Sequence, residues 1–130
     1  MPEDNFEIGT RIRREVLGNT HVDKAEANTT DFDADFQRFI TETAWGNVWA
    51  RPGLDRQTRH LLTITILAAL GKERELALHI RATQNTGVTP EQIKEALLQV
   101  AIYAGVPAAN TAFGIAKQIY AEHDAMIDKE

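Results

Sequence analysis

The chain has 130 residues, 43% hydrophobic and 25% charged, a composition that suits one globular domain and excludes both a disordered segment and a two-domain enzyme. It contains no cysteine, which excludes disulfide frameworks, thiol nucleophiles, thiolate zinc sites and iron–sulfur clusters. A formal charge of −5 argues against a nucleic-acid partner.

The spacing predicts a first helix over Asn5 to Leu17, with Phe6, Ile12, Val16 and Leu17 on its apolar edge and Gly18-Asn19 as its stop. A loop with a short helical piece is expected over Asn19 to Thr30. Asp31 is the expected cap of a helix from Phe32 to Trp49, in which Phe32, Phe36, Phe39, Ile40 and Thr43 recur at steps of three and four. Arg51-Pro52-Gly53 breaks the chain, and Asp55 is placed to cap a helix from Arg56 to Leu70 that Gly71 ends. After a polar first turn, this helix becomes LLTITILAAL, apolar on nearly every side, so it is expected to be buried on every side.

The next helix is expected from Lys72 to Thr86, closing at Gly87. Thr89-Pro90-Glu91-Gln92 is a start signal, with threonine as cap, proline in the first turn and Gln92 completing a capping box. That helix reaches Ala104-Gly105, and Pro107 opens the last one, whose charged tail from His123 is expected to fray. No alternating strand or βαβ unit is present, so the fold class is all-α with about six helices. One domain over 1–130, with its core from about 6 to 120, is the expected organisation. So small a domain has few elements with which to cover a fully apolar helix, which predicts a homo-oligomer.

The opening MPEDNFEIGT has neither a basic region nor an apolar one, and the Leu61–Leu70 run is too short to span a bilayer. The expectation is a cytoplasmic protein without a membrane partner.

Glu75 and His79 stand four apart on one helix face, where a carboxylate can fix the imidazole tautomer and raise its basicity for general acid–base work. The same spacing is common on solvated helices. Arg56, Arg59 and His60 share a stripe at a helix N-terminus, an end that favours acids. They either pair with acids such as Asp55 or Glu42 or form an anion site, which Arg51 can join. Trp45 and Trp49 are either packing residues or the wall of a pocket. The four histidines show no metal-ligand spacing, and a composite of Glu75, His79 and His60 needs two helices to converge, so no metal site is expected. Walker, GxGxxG and GxSxG motifs are absent.

Several segments in order resemble one family. They are Arg13-Arg14-Glu15-Val16-Leu17-Gly18 with His21-Val22-Asp23, then Trp45-Gly46 through Trp49-Ala50-Arg51-Pro52-Gly53-Leu54, then Thr58-Arg59 before the LLTITILAALG run. Glu75-Leu76-Ala77-Leu78-His79-Ile80-Arg81 and Tyr103-Ala104-Gly105-Val106-Pro107 complete the series. From Phe6 to Tyr120 the chain resembles the 4-carboxymuconolactone decarboxylases (γ-carboxymuconolactone decarboxylases) of the protocatechuate branch of the β-ketoadipate pathway.

The wider superfamily resembles alkylhydroperoxidase D, which implies an all-helical fold and a trimer or hexamer. Its redox members carry Cys-x-x-Cys-x-x-x-His. Alignment on His79 puts Lys72 and Glu75 at the cysteine positions, so peroxidase chemistry is lost. Redox members place an acid near His60, and the decarboxylases more often a small residue, which leaves His60 either tuning the site or neutral.

The resemblance implies a small lactone carboxylate substrate, no cofactor and a carboxy-lyase that forms 3-oxoadipate enol-lactone and carbon dioxide. It assigns His79 as proton donor or enolate-oxygen donor, oriented by Glu75. Arg51 and Arg59 hold carboxylates, with Arg81 and His21 in reserve, and Trp45 and Trp49 wall the pocket. A related decarboxylase or lactone-processing enzyme with another substrate, and a non-catalytic helical assembly or ligand-binding module, are the alternatives.

Overall fold

The structure is a computed structural model that describes residues 3–128. It contains α1 (Asn5–Leu17), α2 (Asn19–Asn28), α3 (Ala34–Ile40), a π-helical continuation of α3 (Thr41–Val48), α4 (Arg56–Leu70), α5 (Glu73–Arg81), α6 (Thr83–Thr86), α7 (Pro90–Tyr103) and α8 (Val106–Asp128). No strand occurs among the described residues, so the all-α expectation holds. The count of about six helices is corrected to eight α-helices plus the π segment among the described residues. The chain forms two compact units, Met1–Arg56 and Gln57–Glu130.

In the first unit, Asp4 caps α1 by accepting from the Glu7 amide at 2.8 Å, and Gly18, at φ 91°, separates α1 from α2. The short helical piece expected within the loop after Gly18 is a ten-residue helix that takes up most of that segment. Its apolar signal is weak because Val22 is its one buried residue. Ion pairs from Arg14 to Asp23 (2.9 Å) and Glu26 (3.2 Å) tie it to α1 instead. The next helix begins after Asp33 rather than Asp31, and the Asp33 carboxylate accepts from the Thr30 amide.

From Thr41 the helix widens, and the Trp49 amide reaches back five residues to the Ala44 carbonyl at 2.9 Å. α1 lies against this wide segment at backbone contact. A methyl at Gly9 would strike the Thr41 carbonyl oxygen, and one at Gly46 would strike that of Asn5. The small core here is Ile12, Val16 and Trp45. Phe32 lies in the turn before α3 and only Phe36 and Phe39 stand on the helix, yet all three stay exposed, so their periodicity does not mark burial within this chain.

The second unit has a larger aliphatic core, built from Ile64 of α4, Leu76 and Ile80 of α5, Ile93 and Leu97 of α7, and the alanine face of α8. The expectation that α4 is buried on every side fails for the single chain. Ile64 and Ala68 are buried, whereas Leu62, Ile66 and Leu70 are 48–65% exposed. The expected helix over 72–86 is two, α5 and α6, broken at Ala82. The Thr89 capping box is present: the Gln92 amide donates to Thr89 Oγ1 (3.1 Å) and the Thr89 amide to Gln92 Oε1 (3.0 Å). The charged tail from His123 is part of the last helix. α8 continues to Asp128, and the Gln84 side-chain amide lies 3.1 Å from His123 Nδ1. No helix among the described residues is long and apolar enough to cross a membrane.

Candidate active site

The second unit places a polar chain inside its aliphatic core. His60 leaves the second turn of α4 fully buried, one turn before Ile64. Its Nε2 lies 3.1 Å from Nδ1 of His79 on α5, and the rings meet edge to face with centroids 5.3 Å apart. Its Nδ1 lies 2.6 Å from Thr86 Oγ1. Three side chains from α4, α5 and α6 thus form one hydrogen-bonded row, which is how a buried polar group avoids the cost of lost hydration. Burial, and secondarily the nearby His79, push the His60 pKa down to about 4, so His60 is neutral at physiological pH.

Local structure explains the placement of Thr86. After the break at Ala82, the Thr83 hydroxyl donates to the Ile80 carbonyl at 2.6 Å and holds the short turn against α5. Gly87 closes that turn at φ 84°, and its carbonyl accepts from the Gln57 side chain at 2.6 Å, tying the end of α6 to the start of α4. A longer, unbroken α5 would carry residue 86 along its own axis, not back toward α4.

The other residues singled out from the sequence fall as follows. His79 is 9% exposed, at the edge of the core. Glu75, one turn earlier, is solvent-exposed, and the described hydrogen bonds of His79 include His60 but not Glu75. Arg59 is half-buried beside His60 in sequence, and its carbonyl accepts from Thr63 Oγ1. Arg81 is exposed and faces Glu122 of α8 at 3.7 Å.

In the first unit, Trp45 and Trp49 stack with centroids 4.7 Å apart and planes 29° apart. Trp45 is buried, whereas Trp49, Arg51, Arg11 and Arg56 line a cavity of about 540 Å³. Arg56 pairs there with Glu15 at 2.6 Å, not with Asp55 or Glu42; Glu42 pairs with Arg38 instead. Half-buried His21 has its pKa lowered by burial, then by the charges of Arg13 and Lys24.

The convergence of imidazoles that a composite metal site requires does occur. However, the His60 and His79 nitrogens face each other across a hydrogen bond, and no group of three or more potential ligands able to hold a metal ion exists among the described residues. Thr86 was not singled out from the sequence. Its hydroxyl lies 26 positions from its partner, and its only local signal is a place just before a helix-stopping glycine.

The profile of the "Carboxymuconolactone decarboxylase family" matches residues 34–118. The chain is 48% identical to a 4-carboxymuconolactone decarboxylase of Acinetobacter baylyi, over 91% of this chain and 88% of that one. It is also 41% identical to the nitrosuccinic acid decarboxylase npaB of Metarhizium robertsii, over 95% of this chain and 85% of that protein.

Proposed function

The chain belongs to the carboxymuconolactone decarboxylase family, and from that membership we propose that it is a cytoplasmic carboxy-lyase of aromatic catabolism. It converts 4-carboxymuconolactone to 3-oxoadipate enol-lactone and carbon dioxide. The observation that carries this reading is the 48% identity to a 4-carboxymuconolactone decarboxylase over 91% of the chain.

The substrate is a butenolide with a carboxylate and an acetate arm on one carbon. When the carbon–carboxylate bond breaks, its electrons pass through the ring alkene to the lactone carbonyl and form a furan-like dienolate. A proton then adds beside the carbonyl. The substrate is its own electron sink, so the chemistry does not call for pyridoxal phosphate or thiamine diphosphate. The tasks left to the protein are to hold the spectator carboxylate, stabilise the dienolate oxygen and manage the proton.

His79 is assigned to the reacting end, as proton donor or as donor to the dienolate oxygen. The orienting role expected of Glu75 passes to His60, which lies within hydrogen-bond reach of His79. Arg59 is assigned to a carboxylate. In the first unit, Arg51 and Trp49 line a cavity suited to an anion with an apolar body. The test is an ultraviolet assay with 4-carboxymuconolactone generated in situ, following enol-lactone and carbon dioxide. Turnover is expected, with His79→Ala lowering kcat by about a hundredfold. A folded wild-type protein without turnover would reduce the likeness to one of fold.

A second reading is favoured by the 41% identity to a nitrosuccinic acid decarboxylase. A nitro group beside a departing carboxylate is also a built-in electron sink. Nitrosuccinate therefore belongs in the same assay, and preferential turnover of it would reassign the substrate.

Self-association is part of the proposal. Leu62, Ile66 and Leu70 form an exposed i, i+4 stripe on α4, and Leu98 and Ile102 another on α7. A homotrimer or hexamer is expected in sedimentation velocity, and Ile66→Glu is expected to shift it toward monomer.

A further inference from the structure

We propose that Thr86 directs the Thr86–His60–His79 chain, so that His79 is a neutral imidazole with its hydrogen on Nε2. In that state it is a fixed donor to the dienolate oxygen and is not the group that gives up the proton. The catalytic part of this inference rests on the decarboxylase reading; the direction of the chain does not.

Three groups joined by two hydrogen bonds admit two directions. In one, the Thr86 hydroxyl donates to His60 Nδ1, and His60 Nε2–H donates to His79 Nδ1. His79 Nδ1 is then an acceptor, and the ring hydrogen is on Nε2. In the other, His60 Nδ1–H donates to Thr86 Oγ1, and His79 Nδ1–H donates to His60 Nε2. That leaves His79 Nε2 as a lone pair, a base open to protonation.

The hydroxyl decides between them. The Thr63, Thr65 and Thr83 hydroxyls each donate to a backbone carbonyl of the preceding turn, those of Arg59, Leu61 and Ile80. Thr86 does not: the hydrogen bond described for its hydroxyl is the one to His60 Nδ1. Donation to this nitrogen gives the Thr86 hydroxyl hydrogen a protein acceptor. The reverse direction would turn it away from that acceptor, with no other protein acceptor among the described hydrogen bonds of Thr86. The 2.6 Å separation is the short contact of a hydroxyl donor. The depressed pKa of His60 keeps its ring neutral, with one nitrogen donating and the other accepting, as a chain of this kind requires.

The consequence for the reaction is specific. With Nδ1 occupied as an acceptor, His79 does not become imidazolium without reversing the whole chain. It meets the developing oxyanion as a neutral donor already in place, and preorganised donation of this kind lowers the barrier without moving a proton. Carbon dioxide leaves with the electron pair passing to the lactone oxygen. The proton that then adds to carbon comes from solvent water, and His79 keeps its hydrogen.

Imidazole 1H–15N correlation spectra of the uniformly 15N-labelled wild-type protein at neutral pH test the direction. Both rings are expected as Nε2–H tautomers. Two Nδ1–H tautomers, or a cationic His79, would overturn the proposal whatever the activity. Thr86→Val removes the hydroxyl with little change in shape. It is expected to move His79 away from the pure Nε2–H form and to lower kcat about tenfold with KM nearly unchanged, and Thr86→Ser is expected to restore both. Wild-type tautomers in Thr86→Val would also overturn it. Correct tautomers without lactone turnover would defeat the decarboxylase reading and leave the chain direction standing.

Discussion

The two compact units solve the same packing problem by different means. The first has a small core of Ile12, Val16 and Trp45, and gains contact by bringing α1 onto the π segment at Gly9 and Gly46. The second buries a broad aliphatic core and sets His60 inside it. Backbone contact tolerates no added atom, whereas an aliphatic core tolerates a polar group only if its hydrogen bonds are complete. The first unit is therefore sensitive to bulk and the second to charge.

The largest expected effect comes from adding bulk. Gly9→Ala puts a methyl against the Thr41 carbonyl, which must move with its helix, at a cost of about 3 kcal/mol or more. Both tryptophans lie in the first unit, so their fluorescence during urea unfolding reports that unit. An unchanged midpoint would mean that α1 and the π segment separate easily, and the contrast between the units would fail.

Acid probes the other side of the comparison. His60 has a pKa of about 4 in the fold, against about 6.5 when unfolded. Between those values the unfolded chain binds more protons, so stability is full above pH 6.5 and falls as pH drops toward 4. The total from this residue is about 3 kcal/mol at most. His60→Gln should flatten that stretch of the stability profile. A variant with the wild-type slope would move the acid sensitivity to the carboxylates.

The smallest effect separates the two arginines. Arg51→Ala and Arg59→Ala, one in each unit, should act on KM, with about a tenfold rise, or roughly 1.4 kcal/mol, where the arginine holds a carboxylate. Whichever variant moves KM identifies the region that grips the anion. If neither does, the clamp lies elsewhere.

The comparison also separates what was legible in the sequence from what was not. Helix ends were legible at Gly18, Gly71, Gly87 and Thr89-Pro90, because caps and left-handed turns are decided by a few adjacent residues. Only a short helical piece of α2 is legible, because ion pairs from α1 hold it and it has little apolar periodicity of its own. The π widening at Thr41 left no local mark beyond the glycine that lets α1 approach.

By itself the sequence determined the helical class, the main breakpoints and the absence of thiol chemistry. Periodicity, capping chemistry and residue type all act within about one or two helical turns. Tertiary structure alone decided which face of α4 stays exposed, and that His79 meets His60, not its helical neighbour Glu75. It also decided that Thr86 stands at the end of the chain. Those partners lie 19 and 26 positions apart, and only the packing of α4, α5 and α6 around one core brings their nitrogens and hydroxyl within hydrogen-bond reach.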